Sequence, residues 1–197
     1  MARKRSSLPS YSIAMLGPGG VGKTSLLSRY LPNPSLSFSS TSYQPSPPVT
    51  AYPESKQAVD SRWECMLRVW DFGSSVFESE ILKHVDGFVI VFGLDEAASS
   101  LEQALEMRSK LTRLLNQDDP LISLVGNKSD TQVARDLTLE QIQERVSSLP
   151  GLVYLETSAK ENVNVAEVFD SLLRRVHERQ LRKTQEDGEA SGCCKIN

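Results

Sequence analysis

Residues 17 to 25 read GPGGVGKTS, a GxxxxGK(S/T) loop set between the apolar run Ile13, Ala14, Met15, Leu16 and the helical pattern Leu26, Leu27, Tyr30, Leu31. A buried strand, a glycine-rich turn and a helix start, in that order, make a phosphate cradle. Gly17, Gly19, Gly20 and Gly22 have no Cβ, so successive backbone N–H groups can curl around phosphate oxygens. The helix N-terminus that follows adds partial positive charge. Lys23 brings a point charge to the outer phosphates, and Thr24 places a hydroxyl where a magnesium ion bridging them would need an oxygen ligand. The loop implies that the chain binds a nucleoside phosphate.

At 197 residues the chain is long enough for one domain with a full core and tails. Its formal net charge of -3 lacks the clustered positive charge that a nucleic-acid binder requires. Of the three cysteines, Cys65 falls in a strand-like run while Cys193 and Cys194 are adjacent near the end. That spacing suits neither zinc nor a disulfide framework, and it points to a reducing compartment. The longest apolar run, Phe88 to Phe92, is far short of the roughly 20 residues that cross a bilayer, so any membrane attachment would be peripheral.

Further strands are predicted at Cys65 to Trp70, Gly87 to Gly93, Leu121 to Gly126 and Leu152 to Leu155. Between them Leu101, Ala104, Met107, Leu111 and Leu114 recur at helical spacing, as do Val165, Val168, Phe169, Leu172, Leu173 and Val176. Segment 138 to 149 opens on Thr138 with Gln141 three residues on, a capping box and hence a further helix. Buried strands alternating with amphipathic helices predict a doubly wound α/β sheet with its ligand beyond the strand carboxyl ends. Residues 32 to 53 break the pattern with six Pro and six Ser, and read as a disordered insertion or as a long mobile loop. His84 and His177 sit in no partner pattern and read as ordinary surface residues.

Two further motifs follow predicted strands: Asn127, Lys128, Ser129, Asp130 (NKSD) after LISLVG, and Glu156 to Lys160 (ETSAK) after LVYL. A carboxylate at Asp130 can accept from both the N1–H and the 2-amino group of guanine, a donor pair that adenine does not offer. A site that leaves a buried partner unmatched discriminates by about 10⁴ or more.

With these pieces in order, the chain resembles a small GTPase of the Ras superfamily over residues 10 to 180, a P-loop NTPase. It is similar to Ras itself more than to Rab, Rho or Arf relatives, on the forms GPGGVGKTS, VGNKSD and ETSAK. The resemblance implies a mostly parallel six-stranded sheet with helices on both faces, GTP or GDP with magnesium, and two switch loops that order around the third phosphate. It assigns phosphate binding to Gly19, Gly20, Val21, Gly22, Lys23, Thr24 and Ser25, and guanine recognition to Asn127, Lys128 and Asp130. Ser158, Ala159 and Lys160 would close over the base, with magnesium held by Thr24 and, through water, by Asp71. It further implies an exchange factor, a GTPase-activating protein, effectors and a monomeric switch at the cytoplasmic face of a membrane, the plasma membrane foremost, with a cytosolic pool.

The chain departs from that family in both switches. Where the family has DTAGQ, it reads Asp71, Phe72, Gly73, Ser74, Ser75, without the glutamine that orients the attacking water. Ser74 or Ser75 would do this poorly, so hydrolysis is expected to be slow unless another side chain substitutes. The first-switch threonine is Thr50 counting back from Asp71, or Thr41 or Ser42 counting forward from Lys23.

The organisation expected is a basic flexible stretch 1–9, the nucleotide domain 10–180 with a long loop 32–53, and a flexible tail 181–197. Cys194, four from the end, suggests prenylation and Cys193 palmitoylation, although Lys195 and Asn197 are atypical for the box and a plain tail stays open. Two other readings remain: a pseudo-GTPase scaffold that holds GTP constitutively, and an ATP-using P-loop kinase, against which the NKSD and ETSAK pair argues.

Overall fold

The computed structural model describes residues 8–31, 49–59, 63–73, 80–117, 119–132 and 136–192. Six strands form one sheet in the order β2-β3-β1-β4-β5-β6. They are β1 Ser10–Leu16, β2 Val49–Val59, β3 Trp63–Phe72, β4 Gly87–Gly93, β5 Ile122–Asn127 and β6 Leu152–Glu156. Helices α1 Lys23–Tyr30, α2 Ala97–Leu115, α3 Leu139–Val146 and α4 Val165–Gly192 connect or cover them. Only β2 runs antiparallel, against β3. The doubly wound, mostly parallel six-stranded fold is as the sequence predicts.

Strand alternation divides the core in two. Ile13 and Met15 of β1 pack with Val89, Val91 and Val125 under α1 and α4, through Leu26, Leu27, Phe169 and Leu172. Ala14 and Leu16, one residue out of phase, join Ile90, Phe92 and Leu124 under α2 and α3, through Leu101, Leu111 and Ile142. Every residue of β4 and β5 is buried, as expected of central parallel strands covered on both faces. Each buried Val, Leu, Ile or Phe side chain contributes about 1.5–3 kcal/mol, so these two strands fix the sheet from which the site loops emerge. The capping box closes as predicted: Gln141 N donates to Thr138 Oγ1 at 3.3 Å, and Thr138 N donates to Gln141 Oε1 at 2.9 Å.

Three expectations are corrected. The loop expected over 32–53 ends earlier, because Val49 to Pro53 already belong to β2, laddered residue for residue with β3 as far as Tyr52 against Val69. Val49, Thr50 and Tyr52 are good strand formers that close a stretch otherwise rich in Pro and Ser. The register shifts between Tyr52 and Ser55, around Pro53, which has no N–H to give the ladder. At the other end, the tail expected from residue 181 is helix through to Gly192. Leu181 is half exposed there, so local helix propensity rather than burial carries this extension. His177 is not an isolated surface residue, since its ring stacks on Trp63 and its Nδ1 lies 2.5 Å from Tyr11 Oη. Burial pushes that Tyr11 hydroxyl up to about 12.

Candidate functional site

The carboxyl ends of β1, β3, β4, β5 and β6 all open on one side of the sheet, and the motif residues follow directly from them. Gly17 leaves β1 so close to β4 that a Cβ would lie 2.2 Å from the Val91 carbonyl oxygen. Gly22 has φ +94, and a Cβ on it would meet Asn127 Nδ2 at 2.3 Å. Glycine is therefore required twice, once for approach to the sheet and once for a left-handed turn against the base loop. Lys23, 8% exposed, donates from Nζ to the carbonyls of Gly17 and Pro18, both at 2.8 Å. Burial pushes its ammonium below the usual lysine range, with the Asp71 charge working the other way. Val21 is buried in the same loop, and Ser25 lies half-buried in the first turn of α1.

Thr24 Oγ1 donates to Asp71 Oδ2 at 2.8 Å, joining the start of α1 to the end of β3. Asp71 is 1% exposed, and its Oδ1 has no hydrogen-bond partner among the described residues. Burial raises its carboxyl above the usual range, against the Thr24 hydrogen bond and the Lys23 charge. An orphaned carboxylate oxygen beside a hydroxyl is a donor set for a hard divalent cation. Among the described residues no cluster of three His, Cys, Asp or Glu could hold a metal. Thr50 stands directly across the ladder from Asp71, which puts both side chains on one face of the sheet.

Asn127 ends β5 and is 2% exposed. Its Nδ2 donates to Val21 O at 2.8 Å, while its Oδ1 accepts from Thr157 Oγ1 and Ala159 N, both at 3.1 Å. Its side chain thus braces the phosphate loop against the ETSAK loop. Lys128, in the left-handed region at φ +68, carries its Nζ to Asp95 Oδ2 at 2.7 Å. Asp130 Oδ1 accepts from Ser158 Oγ at 2.6 Å, and Lys160 Nζ lies 3.7 Å from Oδ2. The Ser158 hydrogen bond, with help from Lys160, outweighs desolvation and holds the Asp130 carboxyl below the usual range. The ETSAK loop closes on itself, Ser158 and Val163 exchanging backbone hydrogen bonds at 3.2 and 3.0 Å.

No motif of the sequence contains Asp95 or Arg29, yet both belong to this assembly. Arg29, in the last turn of α1, donates from Nε to Ala159 O and from its NH2 group to Lys160 O, each at 2.9 Å. It ties the phosphate helix to the base loop. In sequence it is only a cation near a helix C-terminus, where any basic residue suits the dipole. Replacing Arg29 with alanine is expected to raise the release rate of bound nucleotide by about tenfold, since charge-assisted hydrogen bonds are worth about 1.5–3 kcal/mol and only part of that would reach the bound ligand. Stopped-flow displacement of a fluorescent nucleotide measures this, and an unchanged rate would remove Arg29 from the site.

Ser74 and Ser75, the alternatives Thr41 and Ser42, and Cys193 and Cys194 lie outside the described residues. The other expected residues converge at the strand ends. Between the phosphate loop and the start of α2 lies a cavity of about 320 Å³, bounded by Gly19, Gly20, Asp95, Gln103 and Lys128.

The model of the Ras family matches residues 12–178. Two relatives, both from Dictyostelium discoideum, align over nearly the whole chain. The Ras-like protein rasZ is 27% identical across 91% of this chain and 82% of its own length. The Ras-related protein RabC is 32% identical across 93% of this chain and 97% of its own length.

Proposed function

Since this chain belongs to the Ras family of small GTPases, whose members bind GTP and work as switches with regulators and effectors, we propose that it is a guanine-nucleotide switch with slow intrinsic hydrolysis. The observation that carries this reading is the end of β3. Family members place a glycine three residues and a glutamine four residues after the aspartate, whereas here Gly73 comes two after Asp71 and Ser75 four after. Phe72 is fully buried and pairs with Val49, so β3 is held in register up to its last residue. A one-residue slip that moved Gly73 into the family position would turn Phe72 out of the core. In sequence the place of the water-orienting glutamine is then taken by Ser75, whose short hydroxyl does not match its reach or chemistry.

On this reading the phosphate loop amides and Lys23 bind the phosphates, while Asp130 selects guanine by accepting from the base. Asn127 and Arg29 hold the two loops together, and Ser158 keeps the carboxylate aimed. Thr24, and Asp71 through a water, would hold magnesium, with Thr50 added when the third phosphate is present; bound there, the ion would neutralise phosphate charge. The subfamily, peripheral attachment through Cys193 and Cys194 at the cytoplasmic face of a membrane, and a monomeric state belong to the same proposal and rest on the residue patterns alone.

Single-turnover phosphate release from GTP-loaded protein tests the reading. The expected rate is at least about tenfold below that of a glutamine-bearing relative measured alongside, because water positioning is the main lever in this reaction. A rate equal to the relative's contradicts slow hydrolysis. One equal to GTP in buffer favours the constitutive GTP scaffold, which the same missing glutamine would produce.

A further inference from the structure

We infer that Asp95 is a positioning residue for nucleotide retention, an anionic anchor that holds Lys128 beside the phosphate loop; this rests on the guanine-nucleotide reading above. Asp95 lies outside every motif of the sequence, in the single 3₁₀ turn Leu94–Glu96 that joins β4 to α2. Its Oδ2 meets Lys128 Nζ at 2.7 Å, the side chains being 31% and 36% exposed.

Three observations show that this contact is built rather than incidental. First, Lys128 adopts φ +68, a conformation that non-glycine residues keep only where their surroundings hold it. Its neighbour Asn127 is fastened through three hydrogen bonds, and the Lys128 carbonyl accepts from Thr131 N at 3.0 Å. The backbone therefore aims the lysine stem, and Asp95 receives its end.

Second, Gly93 has ordinary extended backbone, φ -96 and ψ 130, so no dihedral demands glycine. A Cβ there would sit 2.4 Å from Asp95 Oδ1, with Val21 Cγ1 of the phosphate loop at 3.8 Å. The bare Gly93 is what lets the carboxylate fold back beside that loop. Gly93 and Asn127 are partners in the β4–β5 ladder, so anchor and lysine emerge from adjacent strand ends.

Third, Asp95 and Lys128 line the cavity between the phosphate loop and α2 together with Gly19, Gly20 and Val21, and a carboxylate that near a phosphate loop would repel its ligand unless a cation neutralised it. Lys128 provides that cation, and Asp95 in return removes much of the rotamer freedom of a long, flexible side chain. Nucleotide therefore meets a lysine already in place.

The experiment is the release of fluorescent GDP from loaded full-length protein, comparing wild type with Asp95→Asn, Gly93→Ala, Lys128→Ala and the Asp95→Asn/Lys128→Ala pair. Asp95→Asn is expected to speed release by about fivefold, the scale of a partly exposed charge-assisted bond. Gly93→Ala keeps both charges and displaces only the carboxylate, and should speed release similarly. The double variant should release no faster than Lys128→Ala alone, a non-additivity that general loosening would not give. Inosine diphosphate should be released faster by the same factor as GDP, because the anchor does not touch the exocyclic amino group. Release from Asp95→Asn at or below the wild-type rate overturns the assignment, as does full additivity in the double variant. Failure of wild type to load GDP at all would instead overturn the guanine-nucleotide reading.

Discussion

Replacing Asp130 with asparagine is expected to lower affinity for GTP and GDP by about three to four orders of magnitude and to transfer preference to xanthine nucleotides. The substitution exchanges one acceptor oxygen of the carboxylate for an NH₂ donor. That donor faces the 2-amino group of guanine, itself a donor, so one contact is lost and two N–H groups are opposed. Xanthine carries a carbonyl at the same place and restores the match. The surroundings of Asp130 favour a clean outcome, since Ser158 Oγ donates to its Oδ1 at 2.6 Å and an asparagine oxygen can keep that bond. Competition between GTP and xanthosine triphosphate for a labelled nucleotide checks it. The same contacts hold the wild-type carboxyl below the usual range. A depressed acid pKa keeps the folded protein's carboxylate ionised from neutral pH down through the ordinary value near 3.9. Guanine affinity should then stay level from about pH 8 to about pH 5, in contrast to a site that depends on an unperturbed histidine.

The second large effect is expected from Lys23→Met. Removing the one cation of the phosphate loop should weaken GTP binding by about two to three orders of magnitude, the worth of a desolvated charge-assisted contact to phosphate. Stability of the empty protein should change far less. Burial lowers the Lys23 pKa, so carrying the proton disfavours the fold at neutral pH. The unfolded chain binds that proton more tightly, and stability rises with pH across the window between the lowered value and 10.5. Methionine removes this cost and matches the volume, while leaving the Gly17 and Pro18 carbonyls without their donor. The two terms oppose each other, and a net change within about 2 kcal/mol is expected. Isothermal titration with GDP and chemical denaturation of the empty variant separate the effects; parallel loss of both would mean that Lys23 supports the fold rather than the ligand.

Features set by local pattern were legible in the sequence. The run before GPGGVGKTS, the apolar strands β4 and β5 and the Thr138 capping box each depend on residues within a few positions of one another. What the sequence did not disclose depends on distant partners. β2 draws its stability from pairing with β3, and its strand formers are preceded by a Pro- and Ser-rich stretch that reads as a loop. Arg29 and Asp95 act on residues 131 and 33 positions away at most, through side-chain contacts that no spacing rule encodes. Within NKSD the letters name a base-binding motif without saying which atoms face inward. Asn127 turns out to be wholly buried as a brace, leaving Lys128 and Asp130 nearer the opening. His177 illustrates the same limit, being fixed by Trp63 and Tyr11 from the far ends of β3 and β1.

All of this depends on the strand ends forming a pocket for a guanine nucleotide. The most direct measurement is the nucleotide carried by the purified protein, released by denaturation and identified by chromatography, with added GDP and ADP titrated into protein stripped of it. The account predicts close to one equivalent of GDP or GTP per chain and rebinding of GDP that excess ADP does not displace. An empty protein that takes up neither, or one that binds both diphosphates equally, would contradict it.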